Sequence, residues 1–345
     1  MRIVLPLTFT LAIVGVSVSA PQAQNAPPPA AVTNAPGIPG WAYPVAAGVP
    51  APKDDGTVFR VPNSNVGMTL TQARNAAEVP DWHPDEHPPM PDLMKHGRMQ
   101  DGVRACAYCH YPNGLGRPEN AGIAGLPTAY FIQQVNDFKH GLRKTSEPSM
   151  RPPQLMVDTA KAATDEDIRL AAEYFGSLKF KPWVKVIESA TAPRTEILGG
   201  MLTPLEDHST EPLGERIIEV PVDRKLTELL RDSQSSFEAY VPVGSLAKGE
   251  ALVTTGGASV VDGKIVPGKT AACSTCHGPD LTGIGDVPPV AGRSPSYVVR
   301  QMIDIQKGNR NGAGAQLMKP VVANLTLPDM IAIAAYTASR SPEKK

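Results

Sequence analysis

Apolar positions along this chain follow three patterns, and each predicts a different kind of element. The first is a continuous run. Ile3 to Val18 is largely apolar, preceded by Arg2 and followed by the small residues Ser19 and Ala20. A positive start, an apolar middle and a small-residue exit are the parts of an export signal. Residues 1–23 are therefore expected to be a signal peptide, cut between Ser19 and Ala26. The alternative is an uncleaved anchor, for which the run is shorter than the ~20 residues a span usually needs. The second pattern is helical. Ile168, Ala171, Ala172 and Phe175 recur on one face, as do Met330, Ile333, Ala334 and Thr337, predicting helices over 165–178 and 327–339. Thr164 with Asp167, and Thr326 with Asp329, set a capping hydroxyl before a first-turn carboxylate at each start. The third pattern is short alternation. Val184 to Ile187 and Ile217 to Val220 read as strands. Asp262-Gly263, between Val260-Val261 and Lys264-Ile265-Val266, reads as a hairpin turn.

Length and composition bound what these elements can build. A chain of 345 residues is long enough for two domains plus extra segments. Its 36 prolines, about twice average usage, imply long irregular stretches. Only 5% of residues are aromatic, so cores of ordinary size are thinly filled unless something other than side chains fills them. With 33 basic against 34 acidic residues there is no global field to draw the chain onto nucleic acid or an anionic membrane. Nucleic-acid binding has no support. No stretch beyond the first is long or apolar enough to cross a bilayer, so the mature chain is expected to be exported, soluble and without a transmembrane span.

The four cysteines carry the chemistry. They stand in two tight groups, Cys106-Ala107-Tyr108-Cys109-His110 and Cys273-Ser274-Thr275-Cys276-His277. Both read C-x-x-C-H, the attachment pattern of c-type haem. Two thiols one helical turn apart can each add to a vinyl group of one porphyrin, and the adjoining histidine then reaches the iron. A thioredoxin-like pair needs a βαβ context that neither motif has. A zinc site shared by both pairs needs them ~15–20 residues apart, whereas Cys106 and Cys273 are separated by 167. A disulfide inside each motif leaves the repeated histidine without a role.

The motifs belong to two copies of one unit. At an offset of 167, Pro112, Gly125, Tyr130, Gly141 and Arg143 meet Pro279, Gly292, Tyr297, Gly308 and Arg310. Beyond these, at an offset of 162, Leu155-Met156 meets Leu317-Met318, Thr164 meets Thr326, Asp167 meets Asp329, and Ala172 and Tyr174 meet Ala334 and Tyr336. Haem iron in an electron carrier often takes a methionine sulfur opposite its histidine. Of eleven methionines, only Met156 and Met318 align after their motifs, which makes them the candidate sixth ligands beside His110 and His277. Met150 is the rival in the first copy, and His96 and His140 are weaker ones. His83 and His87 stand among prolines and are expected in a solvated loop. His208 is expected to be exposed.

These residues resemble the dihaem cytochrome c4 type of class I cytochrome c. Two C-x-x-C-H units, each ending in a methionine, a capped helix and an Ala-Ala-x-Tyr segment, carry the resemblance over roughly residues 90–180 and 241–341. It implies a mainly α fold of small helical domains around buried haems, the porphyrins supplying the missing aromatic core. It carries haem attachment over to Cys106, Cys109, Cys273 and Cys276, and iron ligation to His110, His277, Met156 and Met318. The expected layout is an Ala/Pro-rich extension over 24–79, a first haem domain over 80–181, an insert over 182–240 and a second haem domain over 241–345. Simple members of the family lack the insert, in which acidic residues outnumber basic ones. The helix that usually precedes the first motif is hard to place among Pro88, Pro89 and Pro91. The extension is expected either to be irregular and lie on the first domain or to be partly disordered.

Two classes of function follow. In an electron carrier, two firm axial ligands leave no place for a substrate on iron. A dihaem peroxidase needs one iron that can open. An intermediate possibility is the cytochrome subunit of a larger dehydrogenase, with the added segments as docking surface. The expectation is a periplasmic electron carrier with two covalent c-type haems. Its partners are expected to be redox proteins: a donor such as a periplasmic dehydrogenase or quinol-oxidising complex, and an acceptor such as a terminal oxidase.

Overall fold

The computed structural model describes residues 34–46, 48 and 52–341. The expected signal segment lies outside them. In chain order the first elements are two single-turn helices, α1 (Leu70–Ala73) and α2 (Asp92–Lys95). The first copy follows as α3 (Cys106–His110), α4 (Thr128–Lys139), α5 (Arg151–Ala162) and α6 (Asp165–Ser177). Seven short strands make up the insert: β1 (Val184–Glu188), β2 (Thr191–Pro193), β3 (Thr195–Leu198), β4 (Met201–Pro204), β5 (Thr210–Pro212), β6 (Ile218–Pro221) and β7 (Phe237–Val241). The second copy holds α7 (Ser245–Thr255), a hairpin of β8 (Ser259–Val261) and β9 (Lys264–Val266), then α8 (Ser274–His277), α9 (Pro295–Gln306), α10 (Ala313–Val322) and α11 (Leu327–Ala338). The motif helix, a long helix, a methionine-bearing helix and a capped helix thus recur in the same order.

The capped helices start where the sequence places them. Thr164 Oγ1 accepts from the Asp167 amide at 3.2 Å, and Asp167 Oδ2 accepts from the Thr164 amide at 2.8 Å. Arg98 forks onto both oxygens of Asp167, ties α6 to the loop ahead of the first motif, and lowers the Asp167 carboxyl to about 2. In the second copy Asp329 accepts from the Thr326 amide at 2.9 Å and pairs with Lys248 and Lys269. The predicted apolar faces are inside: Ile168, Ala171, Ala172 and Phe175 on α6 are buried, as are Met330, Ile333, Ala334 and Thr337 on α11. Among the described residues no helix of ordinary length precedes the first motif; α2 stands in that place, whereas α7 stands ahead of the second.

The insert is a self-closing excursion. β1 runs parallel to β7, with Val184 opposite Phe237, and β6 pairs with the other edge of β7. The insert therefore leaves and rejoins the helical part on neighbouring strands. It has a small core of its own, built on Ala192, Leu202, Leu213, Ile218 and Val220. The predicted hairpin is present, and its turn residues Asp262 and Gly263 both take positive φ (50° and 73°), the pairing that matches strand twist. The extension departs from expectation. Its described residues are irregular apart from the single turn of α1, but they do not lie on the first copy alone. Tyr43 is fully buried and its hydroxyl donates to Asp304 Oδ1 of α9 at 2.8 Å, while Arg300 donates to the Ala42 carbonyl at 2.7 Å. A long apolar ring with a polar tip is well suited to such a joint. Farther along, Val61, Met68, Leu70 and Ala73 pack with Trp82 and Leu230 of the insert.

The copies meet through reciprocal bonds. Arg143 donates to the Tyr297 hydroxyl at 2.8 Å and to Gln301 at 2.9 Å; Arg310 donates to the Tyr130 hydroxyl at 2.7 Å and to Gln134 at 2.8 Å. Each arginine reaches the tyrosine and glutamine of the other copy, and the backbones of Arg143 and Arg310 bridge antiparallel. Among the described residues no single helix is long and apolar enough to cross a membrane.

Two tests follow from this packing. Helix α7 crosses α11 at Gly249, where a Cβ would run into the Ala332 carbonyl and the Tyr336 side chain. Gly249→Ala is expected to cost about 3 kcal/mol, the upper end of the overpacking range, read as a lower apparent Tm by circular dichroism. Asp167 has its folded pKa depressed, so its contribution is present above its ordinary value near 3.8 and is lost as pH falls toward about 2. Asp167→Asn is expected to be less stable at neutral pH and flatter through that acid window, as measured by denaturant midpoints against pH.

Candidate functional site

Each motif is built on one short helical turn, which sets its two cysteines on the same side. Helix α3 stops at Tyr111 (φ 63°, ψ 156°) and α8 at Gly278 (φ 85°, ψ 157°), equivalent positions with the same backbone. Glycine adopts this region freely, whereas a tyrosine in it costs on the order of 1–3 kcal/mol unless its surroundings hold it. Tyr111 is buried.

The histidines share one device. His110 Nδ1 lies 2.8 Å from the Ala121 carbonyl, and His277 Nδ1 lies 2.8 Å from the Pro288 carbonyl. A carbonyl only accepts, so Nδ1 carries the proton and Nε2 keeps its lone pair for a metal. Burial holds both imidazoles below the ordinary histidine range and hence neutral, the state that ligates. The acceptors are backbone atoms eleven residues beyond each histidine, so no side chain in the sequence announces them.

The thiols are unpaired by disulfides. Burial pushes Cys106 up to about 12 and Cys273 up to about 11. Among the described residues no group of three or more His, Cys, Asp or Glu is placed to hold a metal ion. Apolar and aromatic side chains surround the first motif. Phe175 of α6 meets the His110 ring edge-on at 6.2 Å between centroids, and Phe131 of α4 stacks on Phe175. Two thiols a turn apart, a neutral imidazole with Nε2 free and an apolar wall fit a covalently held porphyrin.

Met156 lies on α5 and Met318 on α10, at matching places in matching helices, each half-buried against the main core. Met150 caps the start of α5 and is fully buried. The histidine loop departs from expectation. His83 is buried and sits 2.8 Å from Asp232 of the insert, and His87 is held by Asp81 at 3.3 Å. The insert folds over this loop, and a local reading of its prolines could not show that. His96 pairs with Glu78 at 3.0 Å, while His140 and His208 are exposed.

A mainly helical chain with two such histidine-bearing turns, each followed by matching helices, is a dihaem class I cytochrome c. No family model matches the chain. A cytochrome c4 of Pseudomonas aeruginosa is 32% identical over 241 residues, covering 69% of this chain and 84% of that protein. The chain belongs to the cytochrome c4 family. A thiosulfate dehydrogenase electron acceptor of Thiomonas intermedia is 25% identical over 247 residues, 70% of this chain and 81% of that one. Among solved structures, a cytochrome c4 of Acidithiobacillus ferrooxidans aligns over 70% of this chain and 99% of its own, at 21% identity and a TM-score of 0.42. As a member of the family the chain carries two covalently bound c-type haems and is an electron carrier between redox proteins.

Proposed function

We propose that the first haem is attached through Cys106 and Cys109 with His110 and Met156 as its axial ligands, and the second through Cys273 and Cys276 with His277 and Met318. The haem domains span 80–181 and 241–345. The observation that carries this reading is the repeated bond from histidine Nδ1 to a backbone carbonyl, which prepares Nε2 in both copies in the same way. The placement of Met156 and Met318 on equivalent helices supports the sulfur ligands.

Each iron, when bound, takes up and gives back one electron. The chain does the rest. The carbonyls of Ala121 and Pro288 keep each imidazole in one tautomer and one orientation, so little reorganises between oxidation states. Met156 and Met318 would supply thioether sulfur as a second protein ligand, which would raise the potential and leave no position for peroxide. The carrier works in the periplasm, taking electrons from a dehydrogenase or a quinol-oxidising complex and passing them to an acceptor such as a terminal oxidase. The similarity to a thiosulfate dehydrogenase electron acceptor favours a dehydrogenase as donor.

The ferric spectrum tests the ligands. Met156→Ala and Met318→Ala are each expected to remove about half of the weak long-wavelength sulfur-to-iron band. Each also lowers one potential, by a fraction of the roughly 0.8 V that axial ligands span. Met150→Ala leaves the band intact; loss of the band there, or its survival in Met156→Ala, overturns the assignment. Intact mass tests attachment. The exported protein gains the mass of two haems, and a Cys273→Ala, Cys276→Ala double variant gains one.

A further inference from the structure

The two attachment motifs are unequal in what covers them. In the second, Thr275, Cys276, Pro279 and Asp280 are exposed. In the first, the equivalent Tyr108 and Cys109 are partly covered, and Pro112 is buried beside Tyr111. The cover is the segment 230–235, in the insert just ahead of β7, which has no counterpart in the second copy. It is pinned at successive residues. The Trp82 indole donates to the Leu230 carbonyl at 2.7 Å, Asp232 meets His83 at 2.8 Å, and Asn113 donates to the Ser233 carbonyl at 2.7 Å.

Arg231 is the centre of this cover. It takes φ 54°, a left-handed conformation that a long side chain adopts only when its neighbours hold it. Its guanidinium donates to the carbonyl of Tyr108, a residue lying between the two cysteines of the motif. It lies 4.1 Å from the centroid of the Tyr108 ring and 5.7 Å from that of Tyr111, the other strained residue of the motif. The residue is buried, its Nε has no partner, and no carboxylate forms an ion pair with it among the described residues. The adjacent Asp232 is taken by His83. An uncompensated cation therefore stands over the first motif. Arg117, buried nearby, is by contrast paired with Glu119.

We propose that segment 230–235 is a charged cover on the first haem's attachment turn, with Arg231 its tuning residue, and that it makes the two haems unequal. This rests on the haem attachment given above. Reduction adds one negative charge, which a buried cation favours more strongly in a low-dielectric interior than in water. Excluding water also disfavours the more highly charged ferric form. Both effects raise the potential of the first haem. The uncovered second haem is then the lower-potential one and the one that meets reductants in solution first, so an electron entering there moves downhill to the first.

The experiment uses the haem-loaded full chain. Proton NMR during a redox titration follows each haem separately, the first being identified by nuclear Overhauser contacts to the Tyr108 ring, which Thr275 replaces in the second motif. The wild type is expected to show the higher potential at the first haem and, in stopped-flow reduction by ascorbate, faster reduction of the second. Arg231→Gln lowers the first potential and leaves the second unchanged, while Arg231→Lys retains most of the wild-type value. A higher potential at the second haem of the wild type overturns the proposal, as does an Arg231→Gln variant that shifts both haems equally or neither. If Arg231→Gln does not fold, the wild-type order and Arg231→Lys still decide. Failure of haem attachment is distinguished by intact mass, which then shows fewer than two haems.

Discussion

The bond from each histidine Nδ1 to a carbonyl eleven residues on is the constraint around which both copies are arranged. It joins the motif turn to the loop that follows, so the chain must fold back before α4 and α9 can begin. It also decides the chemistry. An imidazole free to rotate or to switch tautomer would present iron with a variable ligand, and a protonated one would present none. Because the acceptor is main chain, the device survives the difference between Ala121 and Pro288, neither of which has a polar side chain.

What fixes one copy against the other is a second pair of reciprocal contacts. Arg143 and Arg310 are positive groups whose partners here are neutral: tyrosine hydroxyls and glutamine carbonyls from the opposite copy. Burying guanidinium groups is costly unless their donors are satisfied, and the opposite copy supplies two acceptors to each, while Arg310 Nε has no partner. The joint thus behaves as a unit. Removing either arginine would strand polar groups on both sides. Tyr43 of the extension adds a third attachment on the same helix, α9, through Asp304.

Local chemistry was legible in the sequence wherever a residue and its partner lie within one turn or one hairpin. Thr164 with Asp167, Thr326 with Asp329, the apolar faces of α6 and α11, the Asp262-Gly263 turn and the first strand of the insert all rest on such short spacings. Two helices carry prolines. Pro152 and Pro153 occupy the first turn of α5, where the missing amide has no partner to lose; Pro320 lies inside α10. The remaining differences are long-range. Nothing near His83 foretells Asp232, nothing near Tyr43 foretells Asp304, and the loop around His83 becomes interior only because the insert returns over it.

The insert follows from the same physics. Its parallel strands β1 and β7 keep its ends adjacent, so nearly sixty residues can be added between the copies with little demand on their joint. Such an addition is tolerated because loop length costs little free energy once the ends are held together. Its contacts, however, differ between the copies. It meets the first motif through Arg231 and the residues just after it through Ser233; toward the second copy it meets α9 through Glu219, whose carboxylate accepts from the Ser294 hydroxyl at 2.8 Å at the start of that helix, and α7 through Glu188, which accepts from the Leu246 amide at 2.8 Å. A duplicated domain begins symmetric, and two identical sites at equal potential give an electron no preferred direction. An inserted segment that folds over the motif of one copy and not over that of the other breaks that equivalence without altering a single residue of either motif.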